Sequence, residues 1–135
     1  MYQGEWKDGE PYGEGRLISG KRKYYEGGFK FGKPHGQGTY FNSGLYKYTG
    51  GFVNGQKSGI GNLKLKNGTT YSGSWERDVK HGSGTLTQKD GNLYEGNFYR
   101  GKPSGFGSLS FENLLIQGDW HVRDDLAHCD TESGR

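Results

Sequence analysis

Apolar and polar positions alternate along this chain in short segments that end at glycine-rich turns. Residues 71–76 read Tyr-Ser-Gly-Ser-Trp-Glu and residues 82–87 read Gly-Ser-Gly-Thr-Leu-Thr, so glycine or apolar residues alternate with polar ones in both. Alternation of period two is typical of a strand with one buried face. The pair Asp90-Gly91 follows the second segment and favours a hairpin, because both residues tolerate positive φ. The pattern predicts a β-hairpin.

The same hairpin pattern returns every 23 residues. Five copies open on the phrase Tyr-x-Gly-x-aromatic, and a sixth, degraded copy reads Ile-Gln-Gly-Asp-Trp at 116–120. The opening tyrosines are Tyr2, Tyr25, Tyr48, Tyr71 and Tyr94. A fixed period of this length indicates a repeat array, and repeated hairpins predict an all-β antiparallel meander. With strands about 4.8 Å apart, the array is expected to be elongated, gently curved and about 50 Å long.

Large rings and glycines share the inward face of this predicted sheet. A ring needs room, and a glycine on the neighbouring strand leaves that room. The rings at the first and fifth positions of repeats two to five are the candidate partner-binding residues. They are Tyr25, Phe29, Tyr48, Phe52, Tyr71, Trp75, Tyr94 and Phe98.

The outward face is polar apart from four apolar side chains at two repeat positions. They are Val53, Ile60, Tyr99 and Phe106. Hairpin pairing is expected to make them neighbours, as two small contact spots, and the alternative is scattered surface residues.

The composition agrees with a folded array that has a small core. Hydrophobic residues are 29% of the 135 residues and the mean hydropathy is -1.00, values that by themselves favour disorder. Aromatic residues make up 15%, however, and recur in register. Each ring buries roughly 150–250 Å². The sequence has no apolar run near the roughly 18 residues of a membrane span and no apolar N-terminal stretch. Its single cysteine, Cys129, favours a reducing compartment.

Charge is distributed unevenly along the chain. The net charge is +3, yet residues 1–111 hold 16 Lys or Arg and 9 Asp or Glu, whereas residues 112–135 hold 2 and 6. A basic array and an acidic tail indicate an anionic partner, a tail that folds back on the array, or a surface that simply keeps the protein soluble. The basic excess is small and the outward face is polar, which argues against a nucleic acid partner.

Lysines recur at the turn that joins the two strands of each hairpin. Repeats two to five each carry one there: Lys33, Lys57, Lys80 and Lys102. A regular array is expected to place these four in a line along one edge, about one per 10 Å. Such a line predicts contact with acidic lipid headgroups or an acidic partner, and the alternative is ordinary solvated turn lysine.

Residues with catalytic or metal-binding chemistry are sparse. His35 and His81 stand two repeats apart, roughly 20 Å, too far to share a metal. His121, His128 and Cys129 would need a tightly folded tail or a second chain to hold zinc. The sequence contains no nucleophile elbow, phosphate loop or paired-carboxylate motif. We therefore expect no catalytic residue, no metal and no cofactor.

The repeated phrases resemble a known repeat. Residues 25–29 read Tyr-Glu-Gly-Gly-Phe, and residues 35–39 read His-Gly-Gln-Gly-Thr. Together they are similar to the MORN repeat (membrane occupation and recognition nexus), and the resemblance covers residues 2–115 fully and 116–120 partly. It implies a single-layered antiparallel sheet in a mostly eukaryotic, intracellular protein. It also implies a scaffold at membranes or cytoskeletal structures, with peptides, acidic phospholipids and end-to-end dimers as proposed contacts.

A single-layered sheet has no second layer over its inward face, so part of each ring is expected to stay accessible. The resulting groove, lined by rings and glycines, predicts a non-enzymatic scaffold that binds a helix or an extended peptide of a membrane or cytoskeletal partner. One alternative is a peripheral membrane module that uses the lysine edge, and another is an accessory domain of a larger enzyme. Unpaired terminal strands also predict homodimerisation. The expected location is cytoplasmic, associated with membrane or cytoskeleton.

The predicted domain organisation is one array and one tail. The array covers residues 2–120, with repeats at 2–24, 25–47, 48–70, 71–93 and 94–115 and a partial copy at 116–120. Residues 121–135 form a polar, acidic cap or tail, in which Asp124 and Asp125 are placed to start one short helical turn over Leu126-Ala127.

Overall fold

A computed structural model of the protein describes residues 1–111, 114–123 and 126–130. It contains one antiparallel sheet in which every strand pairs with the strands before and after it in the chain, so the topology is a simple meander. The strands are β1 (Tyr2–Lys7), β2 (Glu10–Ile18), β3 (Lys23–Lys30), β4 (Lys33–Asn42), β5 (Tyr46–Val53), β6 (Gln56–Leu65), β7 (Thr70–Glu76), β8 (Val79–Thr87), β9 (Leu93–Tyr99), β10 (Lys102–Phe111), β11 (Leu114–Arg123) and β12 (Leu126–Asp130). The predicted all-β, single-layered meander of hairpins is confirmed.

A continuous row of glycines crosses the sheet from β1 to β11, and each glycine is the cross-strand partner of the next. The row consists of Gly4, Gly15, Gly27, Gly38, Gly50, Gly61, Gly73, Gly84, Gly96, Gly107 and Gly118. The tyrosine that opens each repeat folds back over this row, and a Cβ at Gly61 would overlap the ring of Tyr48. The glycines therefore make room for the rings, as the sequence predicted.

Two-residue turns with positive φ join the two strands inside each repeat. Asn54 and Gly55 have φ of 50° and 83°, as a type I′ hairpin turn requires. In repeat four Arg77 and Asp78 take the same conformation without a glycine, with φ of 47° and 72°. The turns of successive repeats are hydrogen bonded to one another: the Gly55 N–H donates to the Pro34 carbonyl at 2.8 Å.

A bulge follows each of these turns and shifts the register between the two strands. In repeat three the shift lies between Gly50 and Phe52 of β5, where the facing strand holds Gly59 at a φ of 82°. The glycine that recurs eleven positions after each opening tyrosine marks this bulge, because an L side chain rarely adopts that conformation.

The C-terminal segment continues the sheet as far as the structure describes it. Leu126–Asp130 is a strand that pairs with β11, so the helical turn expected over Leu126-Ala127 is wrong for these two residues. Asp124 and Asp125, which were predicted to start that turn, lie outside the described residues, as do residues 131–135 of the predicted tail.

Candidate functional site

One face of the sheet, here called the ring face, carries a continuous ladder of aromatic rings. Each opening tyrosine packs edge to face against the aromatic residue four positions later, and in repeats one to four it also packs against the corresponding aromatic residue of the next repeat. Tyr48 contacts Phe52 at 5.1 Å and Trp75 at 5.4 Å between ring centroids, and Tyr71 contacts Trp75 and Phe98 at 5.1 Å each. Such T-shaped pairs are worth about 0.5–1.5 kcal/mol beyond the area they bury. The ladder links every repeat to the next.

Each opening tyrosine also anchors its own strand through its hydroxyl group. The Tyr48 hydroxyl donates to the Gly51 carbonyl at 2.9 Å, and the Tyr71 hydroxyl donates to the Ser74 carbonyl at the same distance. Burial raises the pKa of Tyr48 and of Tyr71 to about 12, and burial together with the nearby Glu14 charge also raises the pKa of Tyr25. The tyrosines on this face therefore stay protonated donors well above neutral pH.

The eight candidate rings form the core rather than an open groove. Their exposed fractions lie between 0% for Tyr48 and 6% for Phe52 and Trp75. The expectation that part of each ring stays accessible is wrong. The tyrosine rings lie over the glycine row, and the Phe and Trp rings pack edge to face between the tyrosines of two neighbouring repeats, so a single layer is enough to bury these rings.

The turn lysines do not form one line. Lys57 and Lys80 are the cross-strand partners of Phe52 and Trp75 and lie on the ring face, whereas Lys33 and Lys102 pair with Lys30 and Tyr99 and are exposed. Lys57 and Lys80 stand nine residues after the opening tyrosine of their repeats, whereas Lys33 and Lys102 stand eight residues after it. Because successive side chains of a strand point to opposite faces, this difference of one position puts the two pairs on different sides of the sheet. The expected single lysine edge is therefore wrong.

Lys57 and Lys80 cap the ring ladder in repeats three and four. The Lys57 ammonium lies 5.5 Å from the centroid of Tyr48 and 5.7 Å from that of Trp75, and the Lys80 ammonium lies 5.5 Å from that of Tyr71. Burial lowers the pKa of both lysines. The Asp78 charge opposes this shift in the pKa of Lys57, and the Lys57 charge adds to it in the pKa of Lys80.

Asp78 ties two repeats together at the turn of repeat four. Its N–H donates to the Lys57 carbonyl at 3.1 Å, and its carboxylate accepts from the Lys57 N–H at 2.8 Å. The same carboxylate lies 3.8 Å from the Lys57 ammonium. The acidic residue thus replaces the turn glycine of the other repeats and adds a charged contact that they lack.

The opposite face, here called the polar face, is not covered by any described residue and contains shallow clefts. One cleft, of about 530 Å³, extends over β7 to β10. Its floor is the back of the glycine row at Gly73, Gly84 and Gly96, and polar side chains and the Phe106 ring form its walls. Glycine allows a ligand backbone to approach closely here, and the exposed ring supplies an apolar contact.

The four apolar exceptions predicted for the outward face are all exposed, but the register does not pair them. Ile60 faces Ser74 and Phe106 faces Asp119, while Val53 faces Gln56 at the turn. Ile60 and Phe106 are 68% and 61% exposed. The two small contact spots expected from hairpin pairing, Val53 with Ile60 and Tyr99 with Phe106, are therefore not formed by cross-strand pairs, because Val53 pairs with Gln56 and Tyr99 with Lys102.

The two repeat histidines lie apart, as expected from their spacing. The Nδ1 atom of His35 is buried without a hydrogen-bond partner, whereas the Nε2 atom of His81 is 3.9 Å from a Glu76 carboxylate oxygen. Among the described residues, no group of three or more His, Cys, Asp or Glu is arranged to hold a metal ion. The side chains of His121, His128 and Cys129 lie outside that description.

Within the described part of the chain, no helix is long and apolar enough to cross a membrane. The family model described as the MORN repeat matches residues 2–21, 25–46, 48–70, 71–93 and 94–114. A search of curated proteins found no match to this chain.

Proposed function

The chain belongs to the MORN repeat family, and on that premise we propose that it is a non-enzymatic scaffold that holds a helix or an extended segment of a protein partner in the cleft of the polar face. The family consists of modules that interact with proteins or membranes, and it is generally non-catalytic. The cleft of about 530 Å³, with three glycines in its floor and Phe106 in its wall, is the observation that carries this proposal.

The polar face suits a partner better than the ring face does. Phe52 and Trp75, each 6% exposed, are already packed between tyrosines, so a ligand that inserted between the rings would open the core. We therefore propose the partner's site on the opposite face, where the same glycine row is reached from behind, in place of the ring- and glycine-lined groove expected from the sequence. Serine, threonine and asparagine side chains around it offer hydrogen bonds to a peptide backbone.

The membrane alternative rests on fewer charges than the sequence indicated. Only Lys33 and Lys102 of the four turn lysines are exposed, and their strands, β4 and β10, lie six strands apart, roughly 29 Å at about 4.8 Å per strand. Each lysine near an anionic surface contributes about 1 kcal/mol, so two contribute little. The accessory-domain alternative predicts a longer reading frame with catalytic motifs outside this chain, which sequencing of the transcript tests.

Self-association through a terminal strand is a further proposal for this array. The β1 edge offers unpaired backbone groups, and Trp6 beside it is 60% exposed because it contacts one tyrosine, Tyr2, where its counterparts contact two. A scaffold of this kind would act in the cytoplasm, at a membrane or on the cytoskeleton. Sedimentation over a range of concentrations tests the dimer, and imaging of a tagged protein tests the location.

Affinity capture from a eukaryotic lysate, with matched variants, tests the scaffold proposal. Phe106→Asp places a charge in the cleft, and Phe31→Asp makes the same change at a turn where the ring is similarly exposed, 67% against 61%. We expect a discrete protein to be captured by the wild type and by Phe31→Asp and to be lost with Phe106→Asp, with circular dichroism showing that both variants are folded. Equal capture by all three proteins would contradict binding in this cleft.

Vesicles containing phosphatidylserine separate the membrane alternative from the protein partner. Binding to these vesicles that is lost in Lys33→Glu/Lys102→Glu, together with no captured protein, would assign the function to the turn lysines instead.

A further inference from the structure

The middle of the array is a basic region that contains no carboxylate side chain. Between residues 27 and 75 the sequence has six lysines and neither Asp nor Glu. This stretch includes all of β4, β5 and β6. Charge on this part of the sheet is therefore balanced only by residues from other strands or by a ligand.

Three of these lysines surround two adjoining clefts on the polar face. Lys47 of β5 and Lys64 of β6 are direct cross-strand partners, and both side chains are exposed. One cleft, of about 290 Å³, lies towards the second turn and also contacts Lys66. The other, of about 450 Å³, lies towards the middle of the strands and is lined by Thr49, Asn62, Thr70 and Ser72 as well. We call this region, defined by Lys47, Lys64 and Lys66, the lysine clefts.

The lysine pair lacks the neutralising partners found elsewhere in the protein. Like charges that face each other directly across two strands destabilise the pairing. Among the residues that the structure describes, neither Lys47 nor Lys64 forms an ion pair, whereas Lys57 on the ring face has Asp78 at 3.8 Å. An anionic ligand over β5 and β6 would remove this repulsion, and the neighbouring hydroxyl and amide groups would complete its hydrogen bonding.

We propose that the lysine clefts bind an acidic segment of a protein partner, laid in an extended conformation along β5 and β6. This inference rests on the scaffold function proposed above and adds a second contact to the cleft at Phe106. In an extended peptide every second side chain faces the sheet. One carboxylate can therefore lie between Lys47 and Lys64, which face each other across the two strands, and the next can reach Lys66, two positions after Lys64, while the peptide backbone lies over Thr49 and Asn62.

The position of the lysines favours a peptide over a bilayer. Lys47 and Lys64 lie within the strands, beside clefts in the sheet face, and not at the tips of the hairpin turns. A planar membrane meets projecting turns first, whereas a narrow chain can follow a shallow cleft.

Fluorescence anisotropy with a synthetic probe tests the proposal directly. The probe is a fluorescein-labelled peptide of alternating Glu and Ser, about ten residues long so that at about 3.3 Å per residue it can follow one strand. Its control replaces every Glu with Gln. We expect the Glu peptide to bind with an affinity that falls as salt is added, and the Gln peptide to bind at least about tenfold more weakly.

Charge-matched variants locate the site. Lys47→Glu/Lys64→Glu should lower affinity for the Glu peptide by about tenfold or more, while Lys21→Glu/Lys89→Glu, which changes the net charge equally at exposed positions outside these clefts, should leave it unchanged. Lys47→Gln/Lys64→Gln serves as a second, milder variant if the first does not fold. Equal loss in both double Glu variants would overturn the proposal, because it would show attraction to net charge alone.

Other occupants of the clefts give different results. Binding to phosphatidylserine vesicles that depends on Lys47 and Lys64, with no binding of the Glu peptide, would assign the clefts to a membrane and overturn the proposal. Self-association that disappears in Lys47→Glu/Lys64→Glu would assign them to a second copy. A captured partner that is lost with Phe106→Asp but kept by Lys47→Glu/Lys64→Glu would leave the scaffold function standing while refuting the acidic contact.

Discussion

The tyrosine that opens each repeat performs several structural tasks with one side chain. Its ring covers the glycine row, its edges contact two aromatic neighbours, and its hydroxyl binds a carbonyl three residues later. Tyr48 shows all of these contacts and is fully buried. The fold therefore depends on pairs of residue types, a large ring and a glycine beneath it, more than on total apolar content. This explains how a chain with 29% hydrophobic residues folds as one sheet.

The glycine beneath a ring should tolerate no side chain. In Gly61→Ala the new Cβ overlaps the Tyr48 ring, so we expect the free energy of unfolding to fall by about 3 kcal/mol. Gly44→Ala is the matched control, because a Cβ there meets no atom closer than 4.0 Å. Urea denaturation followed by circular dichroism compares the two. Equal stability of the two variants would show that the rings do not need the glycine row.

Stability should decline at alkaline pH because of the buried tyrosines. The pKa of Tyr48 and of Tyr71 is about 12 in the folded protein against 10 in the unfolded chain. Their contribution to stability is complete below pH 10 and is lost as the pH rises towards 12, because the unfolded state releases these protons first. Phenolate absorbance should show that the buried tyrosines titrate only together with unfolding. Titration of all tyrosines near pH 10 with the sheet intact would refute the burial.

The hairpin is the element that the sequence specifies best. Alternation of period two and the turn pair Asp90-Gly91 predict two strands joined by a turn, and the structure has β8 and β9 on either side of that pair. The same alternation also predicts that Lys57 and Lys33 lie on opposite faces of the sheet. Lys57 stands nine residues after the opening tyrosine of its repeat and Lys33 stands eight residues after that of its own. The contact between Asp78 and Lys57 could not be found this way, since it joins two repeats through turns whose relative position depends on the whole sheet.

The stability of the turn in repeat four should depend on the side-chain oxygen of Asp78 that accepts the Lys57 N–H. Asp78→Ala removes the acceptor for the Lys57 N–H and puts alanine at a φ of 72°, so we expect a loss of about 2 kcal/mol in the free energy of unfolding. Asp78→Asn keeps an acceptor oxygen and a residue that tolerates this conformation, so it should lose less than half as much. Thermal unfolding of the two variants measures the loss of stability in each. Equal damage from the two variants would mean that the charge, which both remove, matters more than the acceptor oxygen.

At the scale of the whole molecule, the sheet has one face that builds the fold and another that we propose binds a partner. The number of repeats, the strand order and the residues of the ring face follow from the 23-residue period. The degree to which the rings are buried does not follow from the period, because it depends on contacts between repeats. Trp75, for example, is covered by the tyrosines of two repeats and by Lys57 and Lys80. The clefts of the polar face likewise arise from side chains on several strands.

Lysine acetylation of the protein, free and in complex with its captured partner, is the most direct test of this division of faces. Lys47 and Lys64 report on the polar face, and Lys57 and Lys80 report on the ring face. Mass spectrometry of the labelled peptides should show that the partner protects Lys47 and Lys64 and leaves the labelling of Lys57 and Lys80 unchanged. Protection of Lys57 and Lys80 alone would place the partner on the ring face and contradict the account.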